Sequence, residues 1–234
     1  MDVYYVRHGE STGNTGEHHG PDPSLTDAGL AQAACAAEAL KDAGVSKLYC
    51  SPLLRNLQTA RAISDALGIA PHVMPELCEI GGISPYDYGS GEAEQRSGMN
   101  RDEIQAICPN ATFSSKVTDA GWWHFRRDGG SADGIDPAWT HAVEGAKHVG
   151  SMLFAERSDQ DDVTVLVGHG AAGWLFFETF LGIEPEWRLQ RFGLDNCSIS
   201  LFRMRDHGIR LAFSNRVEHL PLELQESERA KLRS

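Results

Sequence analysis

Apolar positions along this chain fall into short runs separated by longer stretches with helical spacing, the pattern of a layered α/β domain. Val3 to Val6 is a short apolar run that ends at Arg7 and reads as a buried strand. Leu25-Thr26-Asp27 introduces an alanine-rich helix over residues 28–43, with Thr26 as its N-cap and Gly44 as its stop. Lys47 to Cys50 predicts a second strand. Ser51-Pro52 then reads as the N-cap and first turn of a helix that runs to Leu67 and ends at Gly68. His72 to Met74 predicts a short strand, and Arg101 to Cys108 a short helix stopped by Pro109. Ala138 to Arg157 restores helical periodicity. Val163 to Val167 is the clearest buried strand, and a helix follows over residues 170–181. Ser198 to Met204 and Ile209 to Phe213 read as a closing hairpin around Asp206-His207-Gly208. Residues 81–98 and 114–137 are irregular, and the charged tail from Glu223 is a solvated helix or a frayed end. The economical organisation is a single domain over residues 1–234 whose middle, residues 80–137, is an elaborated, loop-rich insertion.

Composition narrows the class. The chain has 234 residues, 41% hydrophobic and 23% charged, as in an ordinary globular protein. No apolar stretch approaches the ~20 residues of a membrane span. Met1 precedes an acidic residue and a strand-like run, not a basic and then apolar leader, so the expected location is cytoplasmic. The five cysteines are scattered without a CxxC pair, which argues against a zinc knuckle or a disulfide frame. A net charge of −12 repels a nucleic-acid backbone. Self-association is left open. A protein this acidic that handles an anion must gather its few arginines locally.

Three strand ends carry reactive residues, where ligands collect in open α/β sheets. The first is Arg7-His8-Gly9-Glu10-Ser11-Thr12-Gly13-Asn14. Arg7 can donate paired hydrogen bonds to a phosphoryl group, and Gly9 permits close approach. Taken alone, the segment is equally a polar turn. The second is the Ser51–Ala60 segment, where Arg55 lies about one turn into a helix whose N-terminus favours anions. Alone, it reads as a solvated arginine. The third is Gly168-His169-Gly170, an imidazole bracketed by glycines, which alone is equally a capping histidine.

Taken in order, these segments resemble the histidine phosphatase superfamily, whose fold is shared with cofactor-dependent phosphoglycerate mutase. The likeness rests on RHGESxxN at Arg7 to Asn14 and on Leu-Thr-x-x-Gly-x-x-Gln-Ala at Leu25 to Ala33. It continues with Ser-Pro-x-x-Arg-x-x-Gln-Thr-Ala at Ser51 to Ala60 and Gly-His-Gly at Gly168 to Gly170. The resemblance implies a three-layer α/β fold, a mostly parallel sheet flanked by helices. It implies a metal-independent phosphomonoester hydrolase, without cofactor, acting on a small phosphorylated metabolite through a phosphohistidine on His8. Arg7, Arg55, Asn14 and Gly170 would hold the phosphate, and a protonated His169 would complete the pocket. Cations beside His8 should favour its neutral, nucleophilic form.

The family also uses a carboxylate that protonates the leaving oxygen and then activates water. Glu79, in Leu77-Cys78-Glu79, is the candidate, with Glu76 the nearest competitor and Glu92 and Glu94 weaker ones. Metal-dependent hydrolysis would have to recruit His8, His169, Glu79 and the adjacent His18 and His19, beside arginines that repel a cation. Mutases of the family carry Trp where this chain has Gly13, which favours hydrolysis over mutase chemistry; a phosphate-binding module without catalysis is the further alternative. In the insertion, Trp122, Trp123, His124, Phe125, Arg126 and Arg127 form an aromatic and basic cluster. They read either as a lid over the substrate or as anchors of the insertion on the core.

Overall fold

In the computed structural model the described residues are 1–16, 20–83, 97–122, 137–157, 162–186 and 189–229. Seven strands form one sheet: β1 (Asp2–Arg7), β2 (Lys47–Cys50), β3 (Pro71–Val73), β4 (Thr112–Phe113), β5 (Val163–Gly168), β6 (Ile199–Arg205) and β7 (Gly208–Arg216). Their spatial order is β4-β3-β2-β5-β1-β6-β7. The first five are mutually parallel, and β6 and β7 add an antiparallel edge. The helices are α1 (Asp27–Ala39), α2 (Leu54–Leu67), α3 (Arg101–Ile107), α4 (Pro137–Glu156), α5 (Gly170–Phe180) and α6 (Leu222–Arg229).

Apolar residues cover both faces of the sheet, as parallel strands require. On one face Val6, Leu48, Val165 and Val167 pack with Ala33, Ala36, Leu57 and Ile63 of α1 and α2. On the other, Val3, Tyr5 and Leu166 pack with Val149 and Leu153 of α4 and Leu175 and Phe177 of α5. Odd and even positions of β1 divide between the two clusters, the period of two that a strand imposes.

Most expected elements are present, with informative differences. Thr26 caps α1, its side chain accepting from the Gly29 N–H at 3.0 Å. That helix ends at Ala39 because the chain tightens into three-residue turns, Lys41 N to Glu38 O and Ala43 N to Leu40 O, before Gly44 reverses it at φ +71°. Ser51 is not the cap of α2. The cap position is Leu53, and the carboxylate of Asp22, from a distant loop, accepts from Leu54 N at 3.0 and 3.1 Å. The middle of the chain is less separate than expected. Its described part contributes α3, packed against α2, and β4, which joins the sheet edge beside β3. A two-residue strand carries too little periodicity to be seen in sequence.

Trp122 is 1% exposed and belongs to the cluster with Ile104 and Val117. It therefore takes the anchoring role and not that of a lid side chain. Trp123, His124, Phe125, Arg126 and Arg127 lie outside the described residues, as do His18, His19, Glu92 and Glu94. No helix among the described residues is long and apolar enough to cross a membrane.

The loop after β1 rests directly on the start of α1. A Cβ added at Gly29 would overlap the Glu10 carbonyl oxygen, and one at Gly9 would overlap the Gly29 carbonyl. Both obstacles are backbone and have no rotamer to yield. Gly29→Ala is therefore expected to cost at least about 2 kcal/mol of stability, the upper range for overpacking. A urea titration showing a loss under about 0.5 kcal/mol would contradict this contact.

Candidate active site

The carboxyl ends of β1, β2 and β5 converge on one polar pocket. His8 follows β1 directly, is 3% exposed, and is held at its backbone by Gly168 O (3.0 Å from His8 N) and by Asn196 Nδ2 (3.0 Å from His8 O). Its Nδ1 lies 2.7 Å from Gly9 O. A carbonyl can only accept, so Nδ1 carries the proton and Nε2 presents its lone pair. Arg55 Nε donates to that lone pair at 3.2 Å. Burial first, then the charges of Arg55 and Arg7, hold the His8 imidazole well below the ordinary histidine range.

Arg55 also reaches His169. Its Nη2 is 3.3 Å from His169 Nδ1, while His169 Nε2 is 3.0 Å from Ser51 Oγ. Guanidinium nitrogens cannot accept, so this arrangement requires an unprotonated Nδ1 and an Nε2–H donating to Ser51. Here the geometry departs from the protonated His169 that the family resemblance implies. His169 is fully buried, and Tyr5 pins its backbone at both ends: Tyr5 Oη accepts from His169 N at 2.9 Å and donates to His169 O at 3.0 Å. The two imidazole centroids stand 5.1 Å apart.

Arg7 Nη1 donates to the Leu194 carbonyl, and Gly170 leaves the start of α5 open to the Arg7 guanidinium. Asn14 Oδ1 accepts from Ser11 N and Ser11 Oγ, each at 3.0 Å, and from Asn196 Nδ2 at 3.3 Å. These bonds turn its amide nitrogen to the opposite side of the group. Glu79 lies on the first turn of α5, accepting from Ala172 N at 2.8 Å, Ala171 N at 3.3 Å and Ile80 N at 3.0 Å. Its charge acts on Arg55, which ties it to the same pocket. Glu76 instead pairs with Lys116 at 2.7 Å, its side chain only 6% exposed.

The pocket thus unites Arg7, His8, Asn14, Arg55, Glu79, His169 and Gly170. Four supporting residues escaped the sequence reading. Asp22 lies 3.7 Å from Arg55 Nη1 while capping α2. Ser51 holds His169, Asn196 holds both His8 and Asn14, and Thr59 accepts from Gly9 N at 3.2 Å while donating to Arg55 O at 2.8 Å. Their signals were weak: a carboxylate between prolines in Pro21-Asp22-Pro23, and polar residues otherwise typical of caps and turns.

A neutral buried imidazole between guanidiniums at the strand ends of a doubly covered sheet defines a phosphate-handling α/β protein. The model of the histidine phosphatase superfamily (branch 1) matches residues 3–217, and the chain belongs to that family. A probable phosphoglycerate mutase GpmB of Proteus mirabilis is 30% identical over 203 residues, covering 86% of this chain and 83% of the relative. Among solved structures, a mycobacterial glucosyl-3-phosphoglycerate phosphatase superposes with a TM-score of 0.60 at 21% identity, covering 92% of this chain and 99% of that one. The α-ribazole phosphatase of Shigella flexneri gives 0.62 at 20% identity, covering 92% and 96%. At these identities the structures establish the shared fold.

Burial raises the Asp22 carboxyl to about 6, against the opposing effects of the Leu54 N–H and Arg55. The folded state therefore favours the protonated acid, and ionisation above that pH costs folding free energy. Asp22→Asn should stabilise the protein at pH 8 by about 1–3 kcal/mol, with the gain vanishing near pH 4. The same variant should bind inorganic phosphate several-fold more weakly, because Arg55 loses its anchor. Chemical denaturation at the two pH values, together with phosphate titration, checks both signs.

Proposed function

We propose that this protein is a metal-independent phosphomonoesterase that works through a phosphohistidine on His8. The observation that carries the reading is the hydrogen bond from His8 Nδ1 to Gly9 O, which leaves Nε2 as a lone pair inside a pocket built for an anion. An arriving phosphate dianion competes for the Arg55 and Arg7 donors, with Asn14 and the start of α5 at Gly170 as further donors. Withdrawing Arg55 from Nε2 frees the nucleophile. Nε2 then attacks phosphorus as the bond to the ester oxygen breaks, and Glu79, which takes up a proton as the anionic ester binds, gives that proton to the leaving alkoxide. In the second step Glu79 takes a proton from water, whose oxygen attacks phosphorus and displaces His8. The products are an alcohol and inorganic phosphate, and His8 and Glu79 return to their starting forms.

The arginines serve the transition state as well as the ground state, since charge shifts among the phosphoryl oxygens during transfer. His169, held by Ser51, packs against the nucleophile and fixes the far side of Arg55. Hydrolysis is favoured over mutase chemistry by Gly13, where the mutases of the family carry Trp, because the phosphohistidine must be open to water. The preferred substrate class is a small phosphorylated metabolite, with specificity residing in the middle segment, residues 80–137. The curated relatives named as probable mutases make transfer to 3-phosphoglycerate the second reading to measure.

A panel of phosphomonoesters assayed with excess chelator should release phosphate, with isomerisation of 3-phosphoglycerate run in parallel. Isomerisation outpacing phosphate release would replace hydrolase by mutase. His8→Ala should abolish turnover and the phosphoenzyme trapped under alkaline denaturation, where a P–N bond survives. Label persisting in that variant would remove His8 as nucleophile. Glu79→Gln should lower kcat by about 10²–10⁴ for substrates with poor leaving groups, and far less for an activated aryl phosphate. Because His8 stays neutral, kcat/KM should show no limb from His8 protonation between pH 6 and 8.

A further inference from the structure

The sheet carries a second concentration of positive charge at the end opposite the catalytic pocket. In β6, Arg203 and Arg205 are two residues apart and share one face. Across the hairpin, Arg210 of β7 stands directly opposite Arg203 in register, and His207 lies in the connecting turn. Like charges placed directly opposite on antiparallel strands destabilise a hairpin. Met204 and Ile209 supply the packing on the other face, and Arg205 Nη1 holds the Met1 and Met204 carbonyls at 2.9 Å each, whereas Arg210 makes no such bond among the described residues.

The available counter-charge is small. Asp2, the neighbour of Arg203 across β1, lies 2.7 Å from Arg205 Nη2 and 3.6 Å from Arg203 Nε. Arg203 Nε is buried without a hydrogen-bond acceptor, and Arg210 has no ion-pair partner among the described residues. Several other cations carry a carboxylate of their own: Arg61 with Asp65, Arg101 with Asp119, Arg191 with Glu178, Lys47 with Glu156. On a chain of net charge −12, Arg203 and Arg205 share Asp2, and Arg210 faces them with no ion-pair partner among the described residues. They line a surface groove of about 410 Å³, together with His207, Gly208 and Ile209.

We infer that the groove between β6 and β7 is a second anion site, which binds a phosphate group through Arg203, Arg205 and Arg210. A dianion between the facing arginines turns cross-strand repulsion into shared charge-assisted hydrogen bonds and gives Arg203 Nε an acceptor. The phosphate is either inorganic or carried on a metabolite. The site lies at the amino-terminal end of β1 and takes no part in the catalytic reading, so a binding measurement tests it without reference to turnover.

Inorganic phosphate should be titrated calorimetrically into the full chain carrying Arg55→Ala, which weakens the catalytic pocket. We expect one saturable site, weakened at least tenfold by adding Arg210→Ala and partly retained with Arg210→Lys. The absence of saturable binding in the Arg55→Ala protein, or binding that Arg210→Ala leaves unchanged, would overturn the site. In phosphate-free buffer, Arg210→Ala alone should melt at the same temperature as the wild type or higher, because it removes a repulsion. A lower melting temperature would show that the pair is structural and would also count against the proposal. A parallel titration with glucose 6-phosphate separates the two sources. Affinity equal to that of inorganic phosphate points to an esterified ligand, and loss of binding points to free phosphate.

Discussion

The position of one guanidinium organises this molecule. Arg55 is nearly buried, donates to an imidazole on each side, and meets the Asp22 carboxylate at 3.7 Å. A buried cation is costly unless its donors are satisfied, and here the acceptors are two ring lone pairs. That requirement fixes the tautomers of both histidines. It also makes β1, β2 and β5 adjacent at their carboxyl ends, since His8, Arg55 and His169 come from three separate strand-to-helix junctions.

The surrounding structure can be understood as support for that arrangement. Tyr5 locks the backbone of His169, Asn196 locks that of His8, and Thr59 ties Gly9 to the backbone of Arg55. Gly9 and Gly29 bring the loop and α1 closer than any side chain would allow. Asp22 caps α2 and faces Arg55 in a place where burial opposes its ionisation. Such a carboxylate lowers stability at neutral pH in exchange for orienting a functional cation, a compromise expected where a site must be ordered before its ligand arrives.

The two antiparallel strands at the sheet edge have a different character. β7 alternates exposed and half-buried positions along its whole length, and its outward face carries arginines on an otherwise acidic protein. Electrostatic attraction of an anionic ligand to an acidic protein depends on local clustering, because the field of the whole chain is repulsive. Among the described residues two clusters meet that condition at opposite ends of the sheet: one enclosed around His8, the other open at the β6–β7 hairpin.

The sequence by itself determined the main strands and helices, the short edge strand β4 apart, and the three strand ends that build the site. Strand and helix periods are local properties, and Arg7, His8, Arg55 and His169 each stand beside a glycine or at a strand-to-helix junction that marks them. Glu79 was proposed from the family resemblance and its Leu-x-Glu pattern just after the third strand, and its carboxylate accepts from the first turn of the helix that follows His169. Only the tertiary structure decided which polar residues serve the site at second hand. Asp22, Ser51, Thr59 and Asn196 are residue types that a chain also uses for turns and caps, and, Thr59's bond to the Arg55 carbonyl aside, the site groups they hold are 33 to 188 residues away. Trp122 was legible as aromatic but not as anchor or lid, since burial depends on Ile104 and Val117 meeting it in space. The facing of Arg203 and Arg210 likewise needed the strand register, which a hairpin sequence leaves unstated until its turn and side-chain faces are fixed.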